Sequence, residues 1–318
     1  MVTVVTGATG GIGHWIALGL ALSGARVVLV GRDRARGEAA VAWIAAQVPC
    51  AETELLLVDL SYLAAAHLIG ERHPRIDVLV NNASIFATRG VQTAEEFDHV
   101  LATNHLSPFL LTQGLLPALN AAGLARVVNV GSPTTDRARL DPDALVVGRL
   151  SMMRSYAQSK LAMILTTFAP EERLAGSGVT ANVVHPGMVA TGLVRAGGPI
   201  GLVWRSLARI ALTEEQGADT PLYDALPPDM GDMTGRYLKR RQAVRPNHLA
   251  RDPAACQHAL DATAAFCARS DWCEAKTLLL SAPPCRKAPS ATSCSSRGLG
   301  HRPLTAVTGV RIPYGTPI

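Results

Sequence analysis

The chain has 318 residues, 48% of them hydrophobic and only 4% aromatic, which suits one large α/β domain whose core is mainly Ala, Val and Leu. Of the net charge of +5, residues 270–318 carry +4, so the body over 1–269 is nearly neutral and a nucleic-acid partner finds little support. The six Cys (50, 256, 267, 273, 285 and 294) form no C-x-x-C and no zinc-spaced cluster with His, and no uninterrupted apolar run is long enough to span a bilayer. These features predict a reduced, cytoplasmic protein without a signal peptide, a metal site or a membrane span.

Met1 to Thr6 is short, β-branched and apolar, like a buried parallel strand. Gly7-Ala-Thr-Gly10-Gly11-Ile12-Gly13 follows, and a helix is predicted from Ile12 to Leu22. A glycine turn between strand and helix lets the backbone approach a pyrophosphate, and the helix N-terminus offers unpaired N–H groups to it. The plain alternative is an ordinary glycine-rich turn.

A second strand over Arg26 to Val30 ends at Gly31-Arg32-Asp33. An acidic residue at such a tip binds the ribose 2′-hydroxyl of NAD, whereas a guanidinium pairs with the 2′-phosphate of NADP. Arg32 therefore points to NADP, and Asp33 keeps NAD open. Otherwise Arg32, Arg34 and Arg36 are a solvated helix start over 34–47.

A third strand, Leu55 to Asp59, brings Asp59 to the carboxyl edge, where ligands of parallel sheets bind. Ile76 to Val80 is the fourth strand, followed by Asn81-Asn82-Ala83-Ser84. A long helix containing Asn104 is predicted from Thr93 to Asn120, and Arg126 to Val130 is the fifth strand, ending at Gly131-Ser132. A polar loop over 133–150 leads to a helix over Ser155 to Leu174, which Pro170 should kink or end early.

That helix carries Tyr156 and Lys160 four residues apart, one above the other on the same face. An ammonium held beside a phenol stabilises the phenolate and lowers a pKa that is near 10 in water. Such a tyrosine can exchange a proton with a carbonyl or hydroxyl oxygen near neutral pH. The bland alternative is a half-buried Tyr beside a solvated Lys.

The sixth strand, Val179 to Val184, leads into His185-Pro186-Gly187 and Thr191. Residues 192–212 mix glycines with Ile200, Leu202, Val203, Trp204, Leu207 and Ile210, which fits either a lid (about 188–215) over an apolar pocket or a one-sided surface helix. Thr213 is placed to cap a further helix. Alternating strands and helices predict a doubly wound parallel sheet, a Rossmann fold, in a single domain over 1–269. Residues 281–318 have no acidic residue and 19 of 38 positions are Pro, Gly, Ser or Thr, so 270–318 reads as a disordered or atypical C-terminal tail.

Taken in order, the turn Thr6-Gly7…Gly11-Ile12-Gly13, Asn81-Asn82-Ala83, Asn104, Ser132, the Tyr156/Lys160 pair and Pro186-Gly187 resemble a short-chain dehydrogenase/reductase over about 1–265. The chain is similar to the retinol dehydrogenase and WW-domain oxidoreductase-like branch through Gly31-Arg32-Asp33, the wide Ser132–Tyr156 gap, Tyr156-Ala-Gln-Ser-Lys160-Leu-Ala, and Glu215-Gln-Gly-Ala followed by Thr234-Gly235-Arg-Tyr237.

The resemblance implies an NADP-dependent oxidoreductase, with NAD as the alternative, acting on a small apolar carbonyl or alcohol. It implies Tyr156 as acid or base and Lys160 lowering its pKa while holding the nicotinamide ribose. It implies Ser132 on the substrate oxygen and Asn104 holding a relay water. Thr6, Gly7, Gly11, Ile12 and Gly13 would cradle the cofactor, Asp59 would meet its adenine, and Asn81 and Ala83 would lie by its adenosine. Pro186, Gly187 and Thr191 would contact the nicotinamide. Homo-oligomers are expected of the family, and no metal is needed. Three positions depart from the pattern: Ser84 replaces the usual Gly, Gly131 replaces a common Ser, and Pro170 falls within the active-site helix. A binder of the same fold that has lost turnover is the competing reading.

Overall fold

The short apolar runs become strands because each is buried between helices on both sides. A computed structural model describes residues 1–60, 65–86, 93, 98–140, 152–169, 174, 176–189, 211–226 and 233–268. Seven strands run parallel: β1 (Val2–Thr6), β2 (Arg26–Gly31), β3 (Thr53–Leu57), β4 (Val78–Asn81), β5 (Ala125–Val130), β6 (Val179–His185) and β7 (Tyr237–Lys239). A short antiparallel strand, β8 (Gln242–Ala243), turns back on β7.

The strand order is β3-β2-β1-β4-β5-β6-β7-β8, so the chain reverses direction across the sheet beside β1. β1 has β2 on one side and β4 on the other, and the crevice at their carboxyl ends is where such sheets take a ligand. This is the predicted doubly wound Rossmann sheet.

Helices α1 (Gly11–Leu22) and α2 (Arg34–Gln47) cover one face together with α8 (Glu214–Ala225), around Val5, Ile16, Leu20, Leu29 and Leu222. On the other face lie α3 (Ala65–Arg72), α5 (Ser107–Gly114) and α6 (Leu116–Asn120), around Val4, Val28, Ile69, Leu79 and Leu111. A third cluster joins α7 (Met152–Phe168) to α9 (Pro253–Ala268) through Leu161, Ile164, Cys256, Ala259 and Phe266. Thr213 caps α8 as predicted, in a reciprocal pair with Gln216.

The single helix predicted over 93–120 is broken. After α4 (His99–Leu101) comes a π-turn over Ala102–Leu106, then α5 and α6, each with a proline in its first turn. Proline is tolerated there because it has no N–H to leave unsatisfied. The π-turn inserts extra backbone into the helix and holds Asn104, which is fully buried. Strands β7 and β8 and helix α9 are additions to the sequence reading. Pro170, most of the proposed lid and the tail lie outside the described residues.

Candidate active site

The glycine turn fits a phosphate cradle because side chains are excluded from it. Gly7 and Gly11 have φ of +65° and +60°, and a Cβ on Gly13 would lie 2.3 Å from Asn82 Nδ2 and 2.4 Å from the Gly7 oxygen. Thr6 Oγ1 accepts the N–H groups of Asn82 and Ala83 at 2.9 and 3.0 Å. Asn82 Nδ2 donates to the Thr6 carbonyl at 3.0 Å, so the turns after β1 and β4 are tied together. Gly10, before α1, gives that helix no side-chain cap, and its first turn has no acidic residue. The leading N–H groups of α1, including those of Ile12 and Gly13, suit a diphosphate.

At the other end of this crevice, Arg32 Nη1 lies 3.9 Å from Asp59 Oδ2. Two predicted cofactor residues therefore pair with each other across the ends of β2 and β3. Asp33 is engaged locally: its carboxylate accepts the Arg36 N–H at 3.0 Å and caps α2. The Arg36 side chain lies over the cradle, its Nη2 only 2.6 Å from where a Cβ on Gly10 would sit. Asn81 turns away from the crevice. Its amide donates to Asn129 Oδ1 at 2.8 Å, so its side chain stabilises the sheet interior instead of facing a ribose.

Ser132, Tyr156, Asn104 and Lys160 come together at the carboxyl end of β5. The Ser132 and Ser84 hydroxyls lie near enough to the Tyr156 hydroxyl to favour its ionised form. Ser132 Oγ accepts the Thr134 N–H at 3.3 Å and lies 3.0 Å from Thr134 Oγ1, a contact in which either hydroxyl can be the donor. Asn104 Oδ1 accepts from Ser84 Oγ (3.1 Å) and the Ile85 N–H (2.8 Å). Its amide donates to the Ile85 carbonyl and to Ser159 Oγ at 3.0 and 3.2 Å. Ser159 in turn donates to the Tyr156 carbonyl at 2.8 Å, so the π-turn and α7 are locked to one another.

The electrostatics depart from the expected pairing. Lys160 Nζ donates to the Val130 carbonyl at 2.8 Å, and burial pushes its pKa down to about 7. Burial raises the Tyr156 pKa above 10.0, opposed by the neighbouring Ser132 and Ser84 hydroxyls. The phenol is therefore protonated at neutral pH, not lowered by Lys160 as the spacing predicted. Phe86 packs its ring edge-on to Tyr156, with centroids 5.2 Å apart.

Beyond β6, Pro186 and Gly187 form a turn beside this cluster, and Gly187 has φ of +89°. Thr191 lies outside the described residues. Asn82, Ser84, Ser159 and Arg36 take part in the site but were not singled out for it in the sequence. For Asn82 the signal was its place in the repeated Asn pair; Ser84 stood out only as a departure. Among the described residues no group of His, Cys, Asp or Glu could hold a metal, and no helix is long and apolar enough to cross a membrane.

Residues 1–198 match the family model for short chain dehydrogenases. Dehydrogenase/reductase SDR family member 13 of Bos taurus is 39% identical over 270 residues, covering 82% of this chain and 71% of that protein. Retinol dehydrogenase 12 of Homo sapiens is 36% identical over 242 residues, covering 74% of this chain and 77% of its own. The crystal structure of a 3-oxoacyl (acyl-carrier-protein) reductase from Agrobacterium tumefaciens, with NADP bound, is 28% identical with a TM-score of 0.60, over 75% of this chain and 92% of the other.

Proposed function

This chain belongs to the short-chain dehydrogenase family, in its retinol dehydrogenase-like branch, and from that premise we propose that it uses NADP to interconvert an apolar carbonyl compound and its alcohol, with Tyr156 as the proton-transfer group. The family assignment makes it an oxidoreductase with an NAD(P)-binding Rossmann fold. The observation that carries the finer reading is that the Ser132 hydroxyl acts on the buried Tyr156 hydroxyl at the carboxyl edge of the sheet, where the glycine cradle also lies.

In the reductive direction the protonated phenol of Tyr156 gives its proton to the substrate oxygen. The Ser132 hydroxyl donates to the same oxygen and stabilises the charge that develops on it. Of the three N–H groups of Lys160, one goes to the Val130 carbonyl and two remain for ribose hydroxyls. Asn104 holds the Ile85 backbone and Ser159 in place around them. When bound, the nicotinamide supplies the hydride.

Two guanidiniums, Arg32 and Arg36, at the adenosine end support NADP, and the carboxylate of Asp33 is already occupied as a helix cap. An apolar substrate is supported by Phe86 against Tyr156 and by the retinol named for one relative. The test is Tyr156→Phe assayed with NADPH on a panel of apolar aldehydes and ketones. Turnover should fall by about 10²–10⁴-fold, while NADPH affinity is unchanged. Undiminished turnover would remove Tyr156 from its role, and activity confined to small polar sugars would overturn the substrate class.

A further inference from the structure

His185 closes β6, opposite Lys239 of β7, and is 3% exposed. Its Nδ1 accepts the N–H of Gly187 at 2.8 Å. The intervening Pro186 has no N–H, so this is the bond that closes the three-residue turn. The arrangement is that of an Asx turn, in which a side-chain acceptor binds the N–H two residues on. Gly187 adopts φ of +89°, and a Cβ there would lie 2.5 Å from Leu212 Cδ1. Leu212 also donates its N–H to the Met188 carbonyl at 2.8 Å. The turn is held from the strand by His185 and from the other side by Leu212.

An imidazole is a costly choice for this position. Because Nδ1 accepts, the ring proton sits on Nε2. Nε2 is buried and has no partner among the described residues. A Leu or Phe would fill the space beside the Tyr237 ring, 6.1 Å away between centroids, without burying an unpaired donor. What the imidazole adds is the acceptor on Nδ1.

We infer that His185 is a positioning residue for the cofactor, acting through Nδ1 on the Pro186–Gly187 turn against which the nicotinamide end would rest. The inference depends on the cofactor reading given above. It assigns His185 no contact with the reacting atoms. It predicts that only a side chain with an acceptor at this reach can replace the imidazole. Asn meets that requirement, because its Oδ1 forms the same turn in the same register.

The test compares wild type, His185→Asn and His185→Leu by calorimetric titration. Each is titrated with NADPH and with 2′-phospho-ADP-ribose, the same nucleotide without nicotinamide; NADH and ADP-ribose serve if the wild type prefers them. His185→Leu should bind the full cofactor about tenfold more weakly and the nicotinamide-free fragment as wild type does. His185→Asn should bind both like wild type. The proposal is overturned if His185→Leu binds the full cofactor normally, if it loses both nucleotides alike, or if His185→Asn is no better than His185→Leu. Should His185→Leu not fold, weakened cofactor binding by folded His185→Asn overturns it alone. Binding of neither nucleotide to the wild type would instead sink the cofactor reading itself, and this inference with it.

Discussion

Lys160 stands one helical turn beyond Tyr156, yet its ammonium donates to the Val130 carbonyl, 2.8 Å away at the end of β5. The pair expected to act on each other is thus divided between two tasks. Tyr156 answers to Ser132 and Ser84, and Lys160 answers to the sheet. The buried ammonium, held at about 7, is kept where its charge is least comfortable.

Lys160→Met should therefore separate stability from activity. It removes a buried charge that only one described hydrogen bond offsets, so unfolding in urea should require about 1–3 kcal/mol more than for wild type. Turnover should disappear. A variant that is both inactive and less stable would mean that the Val130 bond outweighs the burial of the charge.

Arg32→Ala and Arg36→Ala should each weaken NADPH by about tenfold, the effect of one partly solvated charge-assisted bond, while changing NADH little. Fluorescence titration of both nucleotides checks this. An equal loss for NADH would take that arginine away from the 2′-phosphate. Loss with Arg36 but not with Arg32 would mean that Asp59 keeps Arg32 occupied.

Acid should destabilise the fold through His105. Burial holds this imidazole neutral, with a pKa pushed down to about 3 from 6.5. The unfolded chain takes up the proton that the folded state refuses. The stability present above pH 6.5 is therefore lost as pH falls from 6.5 towards about 3, at roughly 1.4 kcal/mol per pH unit. Between pH 7 and pH 5 the wild type should lose about 2 kcal/mol more than His105→Gln, read from denaturant unfolding at each pH. Parallel losses in the two proteins would assign the acid sensitivity elsewhere, the half-buried His14 and the buried His185 being the next candidates, since burial lowers both.

The β7–β8 hairpin turns on Arg240 and Arg241, whose φ values of 51° and 63° are left-handed and unusual for side-chain-bearing residues. Arg241 is anchored by its bond to Asp219 and stacks on the Tyr223 ring at 5.8 Å; Arg240 has no such anchor among the described residues. Arg240→Asn should raise Tm by about 1–3 °C. Arg241→Asn should not, because it gives up the Asp219 pair. A gain from Arg241→Asn alone would mean that the strain lies at that residue and the ion pair adds nothing.

Six of the seven parallel strands, β1 to β6, were legible because each is a largely apolar run followed by a residue with polar chemistry, and strand order puts those residues on one edge; β7, only three residues long, carries no such run. Thr6, Ser132 and His185 all lie at the carboxyl ends of their strands for this reason. What was not legible is set by distant partners. The apolar residues Val100, Leu101, Leu106 and Leu111 suit an unbroken helix as well as a broken one. The π-turn between them is held by contacts from Ile85, Ser159 and Thr263, which no local pattern announces. Likewise a spacing of four places two Cβ atoms on one face but leaves a long lysine free to choose its acceptor. Asn81 shows the same limit: its motif placed the backbone at the crevice, and Asn129 drew the side chain inward.

His105 Nε2 meets its acceptor, Thr263 Oγ1, at 2.9 Å across a separation of 158 residues. Thr263 donates its own proton to the Ala259 carbonyl, so it can only accept from the ring. On the ribosome, the turn that holds Asn104 emerges long before α9, and until α9 is made a donor destined for burial has only water to bond. The support of the turn that holds Asn104 therefore waits for α9. A nascent chain halted before Thr263 would carry every residue of the proton-transfer cluster and still lack the strut that locks it.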